Sequence, residues 1–166
     1  MFFKEKGMPE QDMVSGVKIR GFSQVQIVNE DGSIAGDSGV VENTITNAGK
    51  RYYLAAMLGK YAGSSGIGYA ALGTGTAANA THTTQDGELA EGVRDAVTAA
   101  SNGSTAVRFT GTFASADSFV TADRNISNIG LWATDTGGSV FSVAAYASSS
   151  CATNQAVNYT YDVTFT

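Results

Sequence analysis

An all-β fold, an antiparallel sandwich with one helix, is what this sequence predicts, and three observations predict it. The last eleven residues, Ala156 to Thr166, alternate apolar and polar without a break, which is the period of a strand with one buried face. Apolar runs are separated by Asp31-Gly32, Asn102-Gly103 and Gly137-Gly138, pairs that supply the positive φ of tight hairpins. Only Ala48 to Lys60 places its apolar residues at a convincing helical spacing.

Residues 1–15 show no clean period and carry Gly7, Pro9 and mixed charges, so they read as an arm, flexible or ordered by a partner. Residues 16–166 read as one sandwich domain. From Val17 the apolar residues Ile19, Phe22, Val25, Ile27 and Val28 form a strand that turns at Asp31-Gly32. Ile34 to Val41 returns beside it, with Gly36 and Gly39 predicting a bulged or irregular edge. Thr46-Asn47 offers capping side chains to the helix, in which Tyr52, Tyr53, Ala56, Met57 and Tyr61 share a face. Lys50 and Arg51 sit early in that helix, where its dipole disfavours cations. Its expected place is over one opening of the sandwich.

A short strand, Ile67 to Leu72, precedes a loop from Gly73 to Thr84 that shows no core-forming residue. Val93 to Val97 reads as a strand after Glu91. Ala106 to Ala114 alternates, with Val107, Phe109, Gly111 and Phe113 on one face. Ile126 to Ala133 and Val140 to Tyr146 form a further hairpin. The total is about eight strands by this reading of hairpin spacing, and that number suits a jelly-roll-like arrangement of two sheets.

The totals narrow the function. With 166 residues the chain fits one domain with a real core. Fifteen acidic against ten basic residues give a net charge of −5, a poor match to a phosphate backbone, so nucleic acid is not expected as a partner. No apolar run has a membrane-spanning length, and no membrane partner is expected. The single cysteine, Cys151, has no internal disulfide partner, and the first residues lack the apolar stretch of a signal peptide. A reducing cytoplasm is therefore the expected place of synthesis. Only 15% of residues are charged, which suits a surface packed against neighbours.

Chemistry has few candidates. His82 is the only histidine and lies in a Gly/Ala/Thr loop without a nucleophile elbow, so an exposed loop residue is expected. Cys151 has no basic neighbour in sequence to lower its pKa, which fits a buried structural thiol. Asp86, Glu88, Glu91 and Asp95 form the acidic cluster, and two of them at a suitable separation would serve a glycosidase. Arg94 lies among them, so a salt-bridged surface is the favoured reading. Gly73-Thr74-Gly75-Thr76 imitates a dinucleotide fingerprint but lacks the following helix and the parallel βαβ pattern. No catalytic residue, metal ligand or cofactor is assigned.

Three segments carry a resemblance. They are Asn43-Thr44-Ile45-Thr46-Asn47-Ala48-Gly49 at the helix, Ala71-Leu72-Gly73-Thr74-Gly75-Thr76 after a strand, and Ile126-Ser127-Asn128-Ile129-Gly130-Leu131-Trp132 in a late hairpin. This series resembles a broad group of small virion proteins of tailed bacteriophages, which share such a helix, loop and strand and end in an alternating strand. Glu91-Gly92-Val93-Arg94 matches the group's Glu-x-x-Arg, and Trp132 stands where Phe is commoner. The similarity spans Asn43 to Thr166.

The resemblance implies a jelly-roll structural protein of the virion, assembled in the host cytoplasm and partnered with major capsid protein subunits. It also implies a homo-oligomer, a trimer on the shell surface. Capsid decoration, or cement, is favoured because the chain is one domain without fibre-like repeats, has an arm able to lie on a shell, and carries little charge. The arm interface is expected to use Phe2, Phe3, Lys4, Lys6, Lys18 and Arg20. A tail or tail-fibre component is the first alternative. A carbohydrate-binding module or carbohydrate-active enzyme, with Trp132 or a Tyr as sugar platform beside Asp86, Glu88 or Glu91, is the second.

Overall fold

The computed structural model describes residues 18–57, 66–89, 94–115 and 122–166. The predicted arm lies outside them, as do Glu91, Val93 and the end of the predicted helix. The first sheet contains β1 (Ile19–Val28), β2 (Ile34–Asp37), β3 (Val41–Glu42), β7 (Thr98–Ser101), β8 (Ala106–Phe113) and β11 (Ala156–Phe165). The second contains β4 (Thr44–Ile45), β5 (Tyr69–Gly73), β6 (Asp95–Ala96), β9 (Arg124–Trp132) and β10 (Ser142–Cys151). One helix, α1 (Asn47–Met57), follows β4.

Strand order is β2-β1-β11-β8-β7 in the first sheet, with β3 also on β1, and β4-β10-β9-β5-β6 in the second. Every described pairing is antiparallel. The chain changes sheets after β3, β6, β8 and β10, so the sandwich is built by exchange between layers. β11 lies in the middle of its sheet, paired with β1 from Ile19↔Phe165 to Val28↔Ala156 and with β8 on its other side. The regular alternation read in the last eleven residues is thus that of a central strand with one wet face.

The core forms where the inner faces meet. Val25, Ile27, Phe109, Phe113, Val157, Tyr159, Tyr161 and Val163 face Leu72, Ile126, Ile129 and Leu131. Each large apolar side chain buried here contributes about 1.5–3 kcal/mol relative to exposure. Phe113 and Tyr159 pack ring against ring at 5.4 Å. Arg108, Thr110 and Thr112 alternate with these residues and lie on the outer face beside Asp162, Thr160 and Asn158.

α1 closes one flank. Thr46 is its cap: the Gly49 amide donates to Thr46 Oγ1 at 3.1 Å, and Thr46 Oγ1 donates to the Val140 carbonyl at 2.7 Å. Tyr52 stacks on Phe141 at 4.7 Å, and Tyr53 meets Phe165 edge-on at 5.8 Å. The first turn holds no acidic residue, so tertiary packing rather than dipole matching fixes this helix.

Several boundaries differ from the sequence reading. The predicted Ile34 to Val41 strand is two pieces, β2 and β3, because Gly39 adopts φ +64° and Ser38 Oγ accepts the Val25 amide. A register shift between Ile27 and Val28 supplies the expected irregular edge. β10 runs five residues past Tyr146, through Ser148-Ser149-Ser150, where no apolar alternation marks a strand. The two-residue strand β4 and the small-residue strand β7 were also not expected, whereas β6 falls within the predicted Val93 to Val97 strand. Together with the division into β2 and β3 they raise the count from about eight to eleven among the described residues.

Candidate functional site

The loop after β5 was expected to contribute nothing to the core, and the structure corrects that. Residues 74–89 fold back across the outer face of the second sheet. Ala78 from this loop packs with Ala71, Trp132, Val140 and Val143 in a second, smaller apolar cluster. Backbone bonds fix the loop at both ends: the Thr74 amide donates to Gly87 O at 2.9 Å and the Leu89 amide to Leu72 O at 3.0 Å. Its middle is tied to the helix cap and the β9–β10 hairpin, through Asn47 N–H to Ala80 O and Val140 N–H to Thr83 O.

Beneath the loop lies a buried polar lock. Gln85 Nε2 donates to Ala71 O at 3.0 Å and to Asn128 Oδ1 at 2.8 Å. Asn128 Nδ2 donates to Asp86 O at 2.8 Å and Thr76 O at 3.2 Å, while Trp132 Nε1 donates to Gln85 Oε1 at 3.2 Å. Ser127 Oγ adds a 2.7 Å bond to Gly75 O. These side chains occupy positions that a sheet buried on one face would leave in water. Here they satisfy a loop's backbone that would otherwise be buried without partners.

The acidic cluster closes the edge of this lock. Arg94 is clamped by Glu88, with Nε donating to Oε1 at 2.7 Å and Nη2 to Oε2 at 3.2 Å. Its Nη1 donates to the carbonyls of Thr134 and Gly137, and its Cζ sits 3.5 Å from the centre of the Trp132 ring. This geometry gives the ion pair a cation–π contact in a desolvated setting. Asp86 accepts the Thr76 amide at 2.9 Å and its hydroxyl at 3.0 Å, which hold the carboxyl below its usual range. Asp95 accepts from Tyr159 Oη at 2.9 Å; burial first, then that carboxylate, pushes the phenol upward. The expected ion pair of Arg94 thus forms with Glu88, but with Arg94 buried rather than on a surface, whereas Glu91 lies outside the described residues.

Trp132 is 1% exposed and covered by Arg94, so it offers no ring face to a sugar. Cys151 is buried, as expected, and burial and then Asp123 push its thiol up to about 11. His82 is half-buried in the covering loop, its amide donating to Asn79 O at 3.1 Å. Of the predicted interface residues, Lys18 and Arg20 lie exposed at the start of β1, with Arg20 Nε 3.1 Å from Glu42. Phe2, Phe3, Lys4 and Lys6 lie outside the described residues.

The outer face of the first sheet is the other candidate surface. It is polar, laid out in cross-strand pairs: Arg108 with Asp162 at 2.7 Å, Thr112 with Asn158 at 2.8 Å, and Gln24 and Gln26 with Asp37. Hydrogen bonds from the two glutamines, then from the Gly39 amide, lower the Asp37 pKa, and Arg108 lowers that of Asp162. Among the described residues no cluster of His, Cys, Asp or Glu is arranged to hold a metal ion, and no helix is long and apolar enough to cross a membrane. No protein-family model, curated protein or solved structure matches the chain.

Proposed function

We propose that this is a structural protein of a tailed-bacteriophage virion, a capsid decoration protein that binds the outer shell and stabilises the head without catalysing a reaction. One observation carries the reading. Two of the three segments on which the resemblance rests meet directly, Ser127 and Asn128 donating to the carbonyls of Gly75 and Thr76, and the third is joined to them through Thr46, bonded to Val140 of the β9–β10 hairpin, and Asn47, bonded to Ala80 of the covering loop. With that loop and hairpin they build one hydrogen-bonded frame, and the residues with chemical potential, Asp86, Glu88, Arg94 and Trp132, serve in that frame.

The polar outer face of the first sheet and the exposed Lys18 and Arg20 then offer surface for shell subunits and for further copies of the chain. In this role the protein spans neighbouring subunits and adds buried area that resists the pressure of packaged genome. Copy number relative to the major shell protein in purified virions tests the proposal. A ratio near that of a shell component agrees with decoration, and a few copies per particle would move the protein to the tail. Removing residues 1–15 should abolish capsid binding while circular dichroism stays unchanged; normal occupancy would remove the arm from the interface.

A further inference from the structure

Among the described residues, the two edges of the first sheet are treated differently by the sequence. At one edge, β2 is irregular and carries Asp37, devices that discourage pairing with another chain. At the other, β7 is Thr98-Ala99-Ala100-Ser101, all four residues exposed, with no charge, glycine or proline. We propose that this edge pairs antiparallel with the β7 edge of a second copy, making one sheet continuous across a two-fold axis. The inference stands apart from the virion role.

Hydrogen-bond direction supports it. Asn102 N–H donates to Ala106 O, and β7 pairs with β8 from Thr98↔Thr110 to Ser101↔Val107. By the alternation of an antiparallel ladder, Thr98 and Ala100 spend their main-chain groups on β8, while those of Ala99 and Ser101 point away from it. A two-fold register that sets Ala99 opposite Ser101 of the second copy returns all of these groups to partners. It brings Ala100 against Ala100 of the second copy on the outer face, two methyl groups at the close spacing of a non-hydrogen-bonded pair.

The two-fold sets the outward groups of Ala99 in each copy opposite those of Ser101 in the other, so the strand complements itself, and no like charges oppose one another in this register. On the inner face Ala99 lines an apolar groove of about 350 Å³ with Tyr52, Ile67, Val107, Phe109 and Phe165. Val107, 37% exposed, is left partly in water there. The second copy extends the groove wall past Ala99 and shields it.

Analytical ultracentrifugation of the full chain, from micromolar to millimolar concentration, tests this with two variants. Ala99→Pro deletes an outward N–H that β8 does not use, and Ala100→Lys sets two ammonium groups face to face. Both positions are exposed, so circular dichroism and the thermal midpoint should stay near those of the parent. The expected result is a dimer whose dissociation constant each variant raises at least tenfold. Oxidised Ala100→Cys should form a disulfide-linked dimer. A monomer throughout, an oligomer of any order that both variants leave unchanged, or no cross-link would overturn the proposal.

Discussion

The outer faces of the two sheets start from similar materials and end in opposite environments. On the first sheet, Thr110, Thr112, Asn158, Thr160, Arg108 and Asp162 form pairs in contact with water. On the second, Asn128, Gly130 and Trp132 are sealed under residues 74–89 and Arg94. An asparagine on β11 is therefore a surface residue, and an asparagine on β9 is the centre of a buried network. The difference shows that what covers a strand decides the meaning of its polar residues, and it sets the order of the substitutions that follow.

Trp132→Ala should have the largest effect. It removes a buried ring and leaves Gln85 Oε1 and the Arg94 guanidinium without their partners on that side, so a loss of about 3–5 kcal/mol is expected from the urea midpoint. A loss below about 1 kcal/mol would show that the covering loop is not held by this face. Glu88→Gln should come next. It keeps the shape but removes the charge facing Arg94, whose side chain is 7% exposed, at a cost of about 1.5–3 kcal/mol. Restoration by a second change, Arg94→Met, would confirm that the uncompensated charge is the cause.

How much of this was legible follows from the same contrast. β1, β8 and β11 were read correctly because one wet face imposes alternation, so Phe109 and Phe113, or Tyr159 and Tyr161, mark the core themselves. The turn at Gly32, with φ +83°, was equally plain, since few other residues accept that conformation. β9 was found as a strand, but Asn128 carried no sign that it would bind Asp86 O. Ala78 sat in a stretch that looked like open loop, and Gln85 just past its end. A network of Gln, Asn and backbone carbonyls has no period, and only the fold that brings residue 85 to residue 128 reveals it. Gly75 held one usable hint: a Cβ there would overlap the Asp86 carbonyl, so glycine at that place records the close approach of two loop segments.

Asp86 lies on the wet side of the lid and sharpens the comparison through pH. Its folded pKa is lowered by the Thr76 amide and then the Thr76 hydroxyl. The stabilisation it gives is present above the unfolded value of about 3.9 and is lost as pH falls through the lower folded value. Exchange of the Thr76 amide should accelerate over that acid range before the amides of β11 respond. Asp86→Asn should remove the pH dependence, and equal acceleration in both regions would show that the lid has no separate stability.

The smallest effect belongs to the first sheet. Arg108 and Asp162 make a bidentate pair, with Nε to Oδ1 at 2.8 Å and Nη2 to Oδ2 at 2.7 Å, a geometry that resembles that of Arg94 with Glu88. Yet the Arg108 side chain is 45% exposed, and water solvates both ions once the pair is broken. Asp162→Asn should therefore cost less than about 1 kcal/mol, and the cost should shrink further in high salt. Equal losses for Asp162→Asn and Glu88→Gln would mean that the covering loop adds nothing to its ion pair. The expected inequality would instead assign the larger loss to desolvation of Arg94 between Trp132 and the carbonyls of Thr134 and Gly137, because both pairs are bidentate and the buried one has the longer second contact.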